Sequence, residues 1–459
     1  VERLVGRLTP TPEQEAAIER MVNEPSGGVL QASDLGTGKT LMAVEAGLRY
    51  APMGVVVVSA PLHTYYGWFD TLFGQTDGTI QFKKVDNKTK FGKANLEALQ
   101  WGVAGWYFVG REFFRLRDWS DCVFDVMIHD ECHSLQNRKS KGFNVARKVN
   151  ADLTIAQSAT WFGSSFEGAW AILRILYPDH DSPGMFADRS YHRWVRNWCA
   201  TEYDWFAENN ARIVGEKNVG ELAASVPCYI NLRNTATDEP EVVPVYVDLS
   251  PRQRSYYSQM ENEGVAWLDS NPMVAELPIT QRVRLRQLTL GETYVAPDTE
   301  EISFADDCKS SKLDALEGLL GDLVGEQVVV ATDSAKFARV VANRVGGFAW
   351  TGDKKQQERE QAKQDFIDGK LRVIVATQAA ISEGTDGLQR VCRVLVELSQ
   401  SDNPILNQQM VGRLNRTGQT RRVIVYKIMA RNTLDDPQAE TLLGKELQMR
   451  LSMLKNTER

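Results

Sequence analysis

The stretch "LQASDLGTGKTLMA", Leu30 to Ala43, decides how this chain is read. "VLQAS" has the apolar make-up of a buried strand, "DLGTG" reads as a turn, and "KTLMAVEAGLRY" reads as a helix. Strand, glycine turn and helix in that order are the setting of a phosphate-binding loop. One position departs from the pattern G-x-x-x-x-G-K-[ST]: Ser33 stands where the first glycine belongs. Gly36 and Gly38 still let the backbone curl so that its N–H groups face phosphate oxygens, and the helix N-terminus adds partial positive charge. The expected nucleotide loop is therefore Asp34, Leu35, Gly36, Thr37, Gly38, Lys39 and Thr40. Lys39 would reach the β- and γ-phosphates, and the Thr40 hydroxyl would take a place on Mg²⁺. The plainer alternative is a glycine turn with a solvated lysine.

Working outward, short β-branched runs recur, each followed by a helix-like segment. Strands are read at Val29–Ala32, Val55–Ala60, Trp106–Val109, Asp125–His129 and Leu153–Gln157. A second set falls at Gln327–Ala331, Phe348–Thr351, Arg372–Ala376, Val391–Leu398 and Arg422–Met429. Most are apolar throughout instead of alternating, as parallel strands buried on both faces require. Strands alternating with helices point to βαβ units, and two sets of them to an α/β chain with two parallel-sheet lobes in tandem.

Between the sets, from Trp161 to about Ser311, the rhythm breaks into aromatic-rich, helix-like segments and a polar connector, "LRNTATDEPEVVPV", Leu232 to Val245. The expected division is 1–235 for the first lobe, with a helical protrusion from about 161, and 236–459 for the second, with a helical insertion to about 310. Within the protrusion, "RSYHRWVRNWCATEYDWF" mixes Arg189, Arg193 and Arg196 with Trp194, Trp198 and Trp205. Bases can stack on such rings. The two groups also separate into polar and apolar faces of a helix, which favours core packing.

At 459 residues, 43% hydrophobic and 25% charged, the composition is that of a soluble globular chain of two or more domains. The longest apolar run, "VVVVSAP", falls far short of a membrane span, and no secretory signal opens the chain. Six scattered cysteines without a C-x-x-C argue against a zinc site or a disulfide framework. The expectation is a cytoplasmic monomer with reduced cysteines and no membrane contact. A net charge of −7 argues only weakly against nucleic acid, because phosphate contacts are local and helix N-termini can make them.

Two further segments carry chemistry. "FDVMIHDECHSL", Phe124 to Leu135, is a buried-strand pattern ending in two acids. Behind a phosphate loop, Asp130 would hold Mg²⁺ and Glu131 would orient or deprotonate the attacking water. Standing alone, the same residues fit a solvated loop equally well. In "NPILNQQMVGRLNRTGQTRRVIVYKI", Asn403 to Ile428, Arg413 and Arg416 lie three apart on an expected helix and would share a face. Their charge could stabilise the γ-phosphate in the transition state.

These segments resemble superfamily 2 helicase-like ATPases, and within them the Snf2/Swi2 family of double-stranded DNA translocases, from about Leu8 to Asp436. "LTPTPEQEAAI" looks like the adenine-recognising segment, "SDLGTGKT" is similar to motif I, and "VVVVSAPLHTYYGWFDTL" to motif Ia. "WYFVGREFFRL" sits where motif Ib belongs, and "FDVMIHDECHSLQNRKSKGFNVARKV" looks like motif II. "QSATWFGSSFEGAWAILRIL" is similar to motif III, "VVVATDSAKFARVV" to motif IV, "VIVATQAAISEGTDGL" to motif V and "QQMVGRLNRTGQTRRVIVYKI" to motif VI. "LSPRQRSYY" and "SSKLDALEGLL" tilt the resemblance toward Snf2. Departures are Cys132 where Ala is usual, Asn415 where His is usual, and Asp386 where Ile or Val is common.

The resemblance implies two RecA-like lobes with ATP and Mg²⁺ between them. Its ATP-binding positions add Gln14, Gly384, Asp386, Arg413 and Arg416 to the loop; Glu131, Lys39 and both arginines are the implied catalytic set. Implied DNA contacts are Pro61, His63, Thr64, Gly110, Arg111, Asp333, Ser334, Thr377 and Gln378. The implied function is a DNA-stimulated ATPase that translocates on double-stranded DNA and remodels protein–DNA or branched structures, with a protein partner for recruitment. The alternative is a strand-separating DNA or RNA helicase. The compact size looks like a bacterial or phage member, working in a bacterial cytoplasm.

Overall fold

The runs "GVLQ" at Gly28–Gln31 (β1) and "VVVVSA" at Val55–Ala60 (β2) are buried at every residue, as strands covered on both faces must be. They belong to a computed structural model that describes residues 7–162, 166–179, 185–203, 211–233, 238–268, 271–275, 278–296, 301–381, 387–416 and 418–435. β3 (Phe82–Val85), β4 (Gly105–Gly110), β5 (Val123–Asp130) and β6 (Asn150–Gln157) follow. β7 (Cys199–Tyr203) and β8 (Ala211–Glu216) then form an antiparallel hairpin, and β9 (Tyr229–Ile230) returns to the sheet. The sheet order is β3-β4-β2-β5-β6-β1-β9, with every pair parallel. All seven C-terminal ends therefore share one edge. There lie the phosphate loop after β1 and the acidic pair closing β5, the edge where open α/β sheets bind ligands.

The chain divides between Asn234 and Thr235 into two units, each with its own apolar core. In the second unit β10 (Glu241–Val247) is followed by two antiparallel hairpins, β11 (Val265–Leu268) with β12 (Asn271–Val274) and β13 (Thr293–Val295) with β14 (Ile302–Phe304). β15 (Val328–Thr332), β16 (Phe348–Trp350), β17 (Val373–Thr377), β18 (Val394–Glu397) and β19 (Ile424–Ala430) complete it. This sheet runs β10-β19-β18-β15-β17-β16, again wholly parallel. Two parallel α/β sheets in tandem are the architecture expected from the sequence.

The structure corrects the sequence reading in four places. The end of the expected connector is the edge strand β10, paired along its whole length with β19. Pro244 is tolerated there because an edge strand has one side with no ladder to feed. β3, "FKKV", escaped notice because it is short and its central lysines break the apolar run. The expected strand Val391–Leu398 begins only at Val394, because Leu388–Arg390 is a 3₁₀ turn and Cys392 N bonds back to Leu388 O at 2.9 Å. The middle region, expected to be helical, contains three hairpins as well as helices among the described residues.

The aromatic helix is Tyr191–Trp198 and ends where β7 begins. Trp194 and Trp198 are buried, and Trp194 Nε1 donates to Phe186 O at 3.0 Å, so core packing is their role; Trp205 lies outside the described residues. All six cysteines are buried and free. Among the described residues no helix is long and apolar enough to cross a membrane.

Candidate functional site

The phosphate loop leaves β1 with Gly36 (φ 79°) and Gly38 (φ 81°) in the left-handed region that favours glycine. Gly38 has a second constraint: a Cβ there would lie 2.6 Å from Gln14 Nε2. Gln14 closes a capping box at the start of the helix Pro12–Val22, accepting from Thr11 N at 2.9 Å, while its amide donates to Thr37 O at 2.8 Å. The helix start and the loop are thus locked by one side chain. Lys39 Nζ, at the first turn of the helix Lys39–Tyr50, donates to the carbonyl oxygens of Ser33 and Asp34, each at 2.8 Å.

Ser33 is not a worn glycine. It is buried, its hydroxyl donates to Gln31 Oε1 at 2.7 Å, and it accepts from Leu232 N at 2.7 Å. Ala32 N to Ile230 O (2.7 Å) and Asp34 N to Leu232 O (2.9 Å) extend the same zipper. The loop is therefore sewn to the segment that ends the first unit. Arg233 follows in that segment, with Nη1 3.6 Å from Asp34 Oδ1. Among the described residues its Nε and Nη2 are buried without a hydrogen-bond partner. Orphaned guanidinium donors beside a phosphate-loop backbone fit an anionic group such as a nucleotide phosphate. Sequence reading missed Arg233, since a lone arginine in a polar connector carries no local signal.

β5 ends at Asp130, whose carboxylate is held from three directions. Oδ1 accepts from Glu131 N (3.0 Å) and Gln157 Nε2 (2.8 Å), and Oδ2 accepts from Trp68 Nε1 (3.0 Å). Burial, and then the neighbouring Glu131 charge, push the Asp130 carboxyl above the usual carboxylate range. Glu131 sits at φ 49°, a left-handed conformation that costs a non-glycine residue on the order of 1–3 kcal/mol. Its Oε2 accepts from Ser158 Oγ (3.3 Å) and lies 3.2 Å from His133 Nδ1, which is itself 3.1 Å from Ser158 Oγ. The ends of β5 and β6 are bridged by this triangle. Two adjoining carboxylates near a phosphate loop, with the Thr40 hydroxyl in that loop's helix, are a donor set that fits Mg²⁺. Cys132, in the place where Ala is usual, is fully buried, and burial pushes its thiol well up.

In the second unit the helix Pro404–Leu414 carries Arg413, but Arg416 lies beyond its end. The expectation that both share a helical face is corrected. The last helical bond is Asn415 N to Val411 O (2.9 Å), after which Gln419 N turns back to Arg416 O (3.0 Å) with Gly418 at φ 96°. Gln419 holds this turn, donating to Cys392 O at 2.8 Å and Leu414 O at 3.3 Å.

Comparison with known proteins gives these positions a family. Residues 311–418 match the family described as "Helicase conserved C-terminal domain". A human relative, "SWI/SNF-related matrix-associated actin-dependent regulator of chromatin subfamily A member 1", is 23% identical over 93% of this chain and 41% of its own length. A Bacillus subtilis (strain 168) relative, "Uncharacterized ATP-dependent helicase YqhH", is 21% identical over 95% of this chain and 78% of its own. These similarities support a Snf2-type, helicase-like ATPase of superfamily 2. The chain spans less than half the length of the human relative. Among solved structures, the "Sulfolobus solfataricus SWI2/SNF2 ATPase core in complex with dsDNA" aligns over 99% of this chain and 97% of its own at TM-score 0.43 and 18% identity.

The remaining Snf2-motif positions divide by what their side chains already do. In the first unit Pro61 opens a 3₁₀ turn after β2, and Thr64 Oγ1 donates back to Pro61 O at 2.8 Å; the His63 side chain lies outside what is described. Gly110 ends β4 and Arg111 opens the short helix Arg111–Phe114. In the second unit Ser334 Oγ caps the helix Ala335–Val345, accepting from Phe337 N at 3.2 Å. Asp333 is engaged by Ser399 Oγ (2.6 Å) and by Arg286 Nη1 (2.9 Å). Thr377 Oγ1 accepts from Ala380 N at 3.4 Å. Gln378 is buried and its amide donates to Ser399 O at 2.6 Å, an internal tie. Gly384 and Asp386 lie outside the described residues.

Proposed function

We propose that this chain hydrolyses ATP and uses the energy to translocate on double-stranded DNA, remodelling protein–DNA or branched DNA structures. The observation that carries the reading lies at one edge of the first sheet, where Lys39, Asp130, Glu131 and Ser158 stand at the ends of β1, β5 and β6. Lys39, the N–H groups of Gly36 to Thr40 and Gln14 bind and orient the nucleotide. Thr40 and Asp130 would hold Mg²⁺, which when bound would neutralise phosphate charge. Glu131, fixed by Ser158 and His133, orients or deprotonates the attacking water. Arg413 and Arg416 supply positive charge to the transition state. Duplex DNA is contacted through Pro61–Thr64, Gly110 and Arg111 of the first unit, and by backbone N–H groups near Ser334 and Thr377 of the second.

The test is the ATPase rate without nucleic acid and with single-stranded DNA, duplex DNA or RNA. Duplex DNA should stimulate it most and should support displacement of a third strand without unwinding. Stimulation by single strands together with duplex separation would favour a strand-separating helicase instead. A rate indifferent to every nucleic acid would remove the DNA motor.

A further inference from the structure

In the first unit a cavity of about 340 Å³ opens between the helices Lys141–Ala146 and Gly168–Leu176. Among the described residues it is lined by Phe143, Arg147, Trp170, Arg174, Pro178 and Arg189: three guanidinium groups and no carboxylate, in a chain of net charge −7. Arg174 gives bonds to the carbonyl oxygens of Tyr177 (3.0 Å), Ala187 (3.1 Å) and Pro178, which hold the wall of the pocket rigid. Arg189 donates to Asp179 O at 3.2 Å, and Arg147 rests 5.8 Å over the Phe143 ring. Both are exposed, and among the described residues neither has a carboxylate partner.

The pocket faces away from the nucleotide loop. Tyr177, closing the second of these helices, donates its hydroxyl to Gly28 O where β1 begins, and Arg147 lies just ahead of β6. Both place the pocket toward the N-terminal edge of the strands, opposite the edge that carries Lys39, Pro61 and Gly110. The Trp170 ring is no free platform for a base. It is set edge-on against Tyr191 at 5.4 Å and tilted on Phe143 at 5.8 Å, with Nε1 donating to Asp188 O at 2.8 Å. A concave site with an apolar wall suits an inserted side chain better than the convex backbone of a duplex. Paired guanidinium forks suit an oxyanion.

We propose that this pocket docks an acidic segment of a partner protein, receiving a carboxylate or phosphoryl side chain between Arg147 and Arg189 while a neighbouring apolar side chain packs on Pro178. The site is independent of the nucleotide and DNA contacts assigned above.

The test is fluorescence anisotropy of the full chain with a labelled glutamate-rich peptide containing one phenylalanine, its phosphoserine counterpart, and a short DNA duplex. The wild-type chain should bind the peptides. Arg147→Glu with Arg189→Glu should weaken that binding by about tenfold per arginine, the worth of one charge-assisted hydrogen bond. Affinity for the duplex and the DNA-free ATPase rate should not change. Arg147→Lys with Arg189→Lys should give an intermediate loss, since charge is kept and the fork is not. Tighter binding of the phosphoserine peptide identifies a phosphoryl source, and equal binding a carboxylate source; either supports the pocket. The proposal is overturned if wild type binds neither peptide, or if Lys88→Glu with Lys90→Glu, a remote exposed pair, weakens the peptides equally. It is also overturned if the arginine variant loses the duplex and keeps the peptides.

Discussion

Glu131 and Ser33 show how much a single residue can hide. Glu131 is read from the sequence as a water-aligning acid, but its left-handed backbone is invisible there. Strain of that kind persists only where surrounding bonds enforce it, and the bonds from Ser158 and the adjacent Asp130 do so. Glu131→Gln keeps size and hydrogen bonding but removes the base. It should leave ATP affinity within about twofold while lowering turnover by about 10²-fold or more, as loss of a general base does. Equilibrium binding of a fluorescent ATP analogue beside single-turnover hydrolysis separates the two; near-normal turnover would remove Glu131 from the chemistry. Arg416→Ala should slow hydrolysis by about 10³-fold with nucleotide affinity kept, the pattern of a group acting on the transition state. A collapse of affinity instead would make Arg416 a ground-state ligand. Ser33 was legible only as a missing glycine, because its partner Leu232 lies 199 positions away.

At the scale of elements, most of the strands that were legible are largely apolar and buried on both faces, as β2, β15 and β17 are. The elements that were missed are half-exposed or stand at an edge. β10 alternates exposed and half-buried residues and contains Pro244, so nothing local separates it from a connector; its pairing with β19 decides. The helix Pro278–Leu290 carries a role its sequence does not announce. Its Arg286, almost fully buried, bridges Asp333 (2.9 Å) after β15 and Asp402 (2.6 Å) ahead of the helix Pro404–Leu414. Both acids follow strands of the parallel sheet, so this one guanidinium ties two of its loops. Arg286→Ala should cost about 3 kcal/mol, the low end for breaking a buried ion pair, because Asp402 is half-exposed. Chemical denaturation measures this; a change under about 0.5 kcal/mol, the range of an ordinary surface substitution, would show that the bridge carries no load.

For the whole molecule, the apolar clusters of the two units share no residue. Each unit buries its own sheet and should melt as its own cooperative step. Trp194→Ala, which empties a fully buried site in the first unit, should cost about 3–5 kcal/mol there. In calorimetry one transition should fall while the other stays in place; a single transition that shifts as a whole would mean that the units unfold together.

The sequence by itself determined the α/β class, the two tandem sheets and the residues at the strand ends, because burial on both faces and glycine turns are local patterns. Only the tertiary structure decided that Ser33 pins the phosphate loop to Leu232, that Trp68 and Gln157 hold Asp130, and that Arg416 stands past its helix. Those outcomes depend on which distant backbone and side-chain groups satisfy one another once the strands are ordered. Local periodicity says where an element forms, and carries no record of its partner.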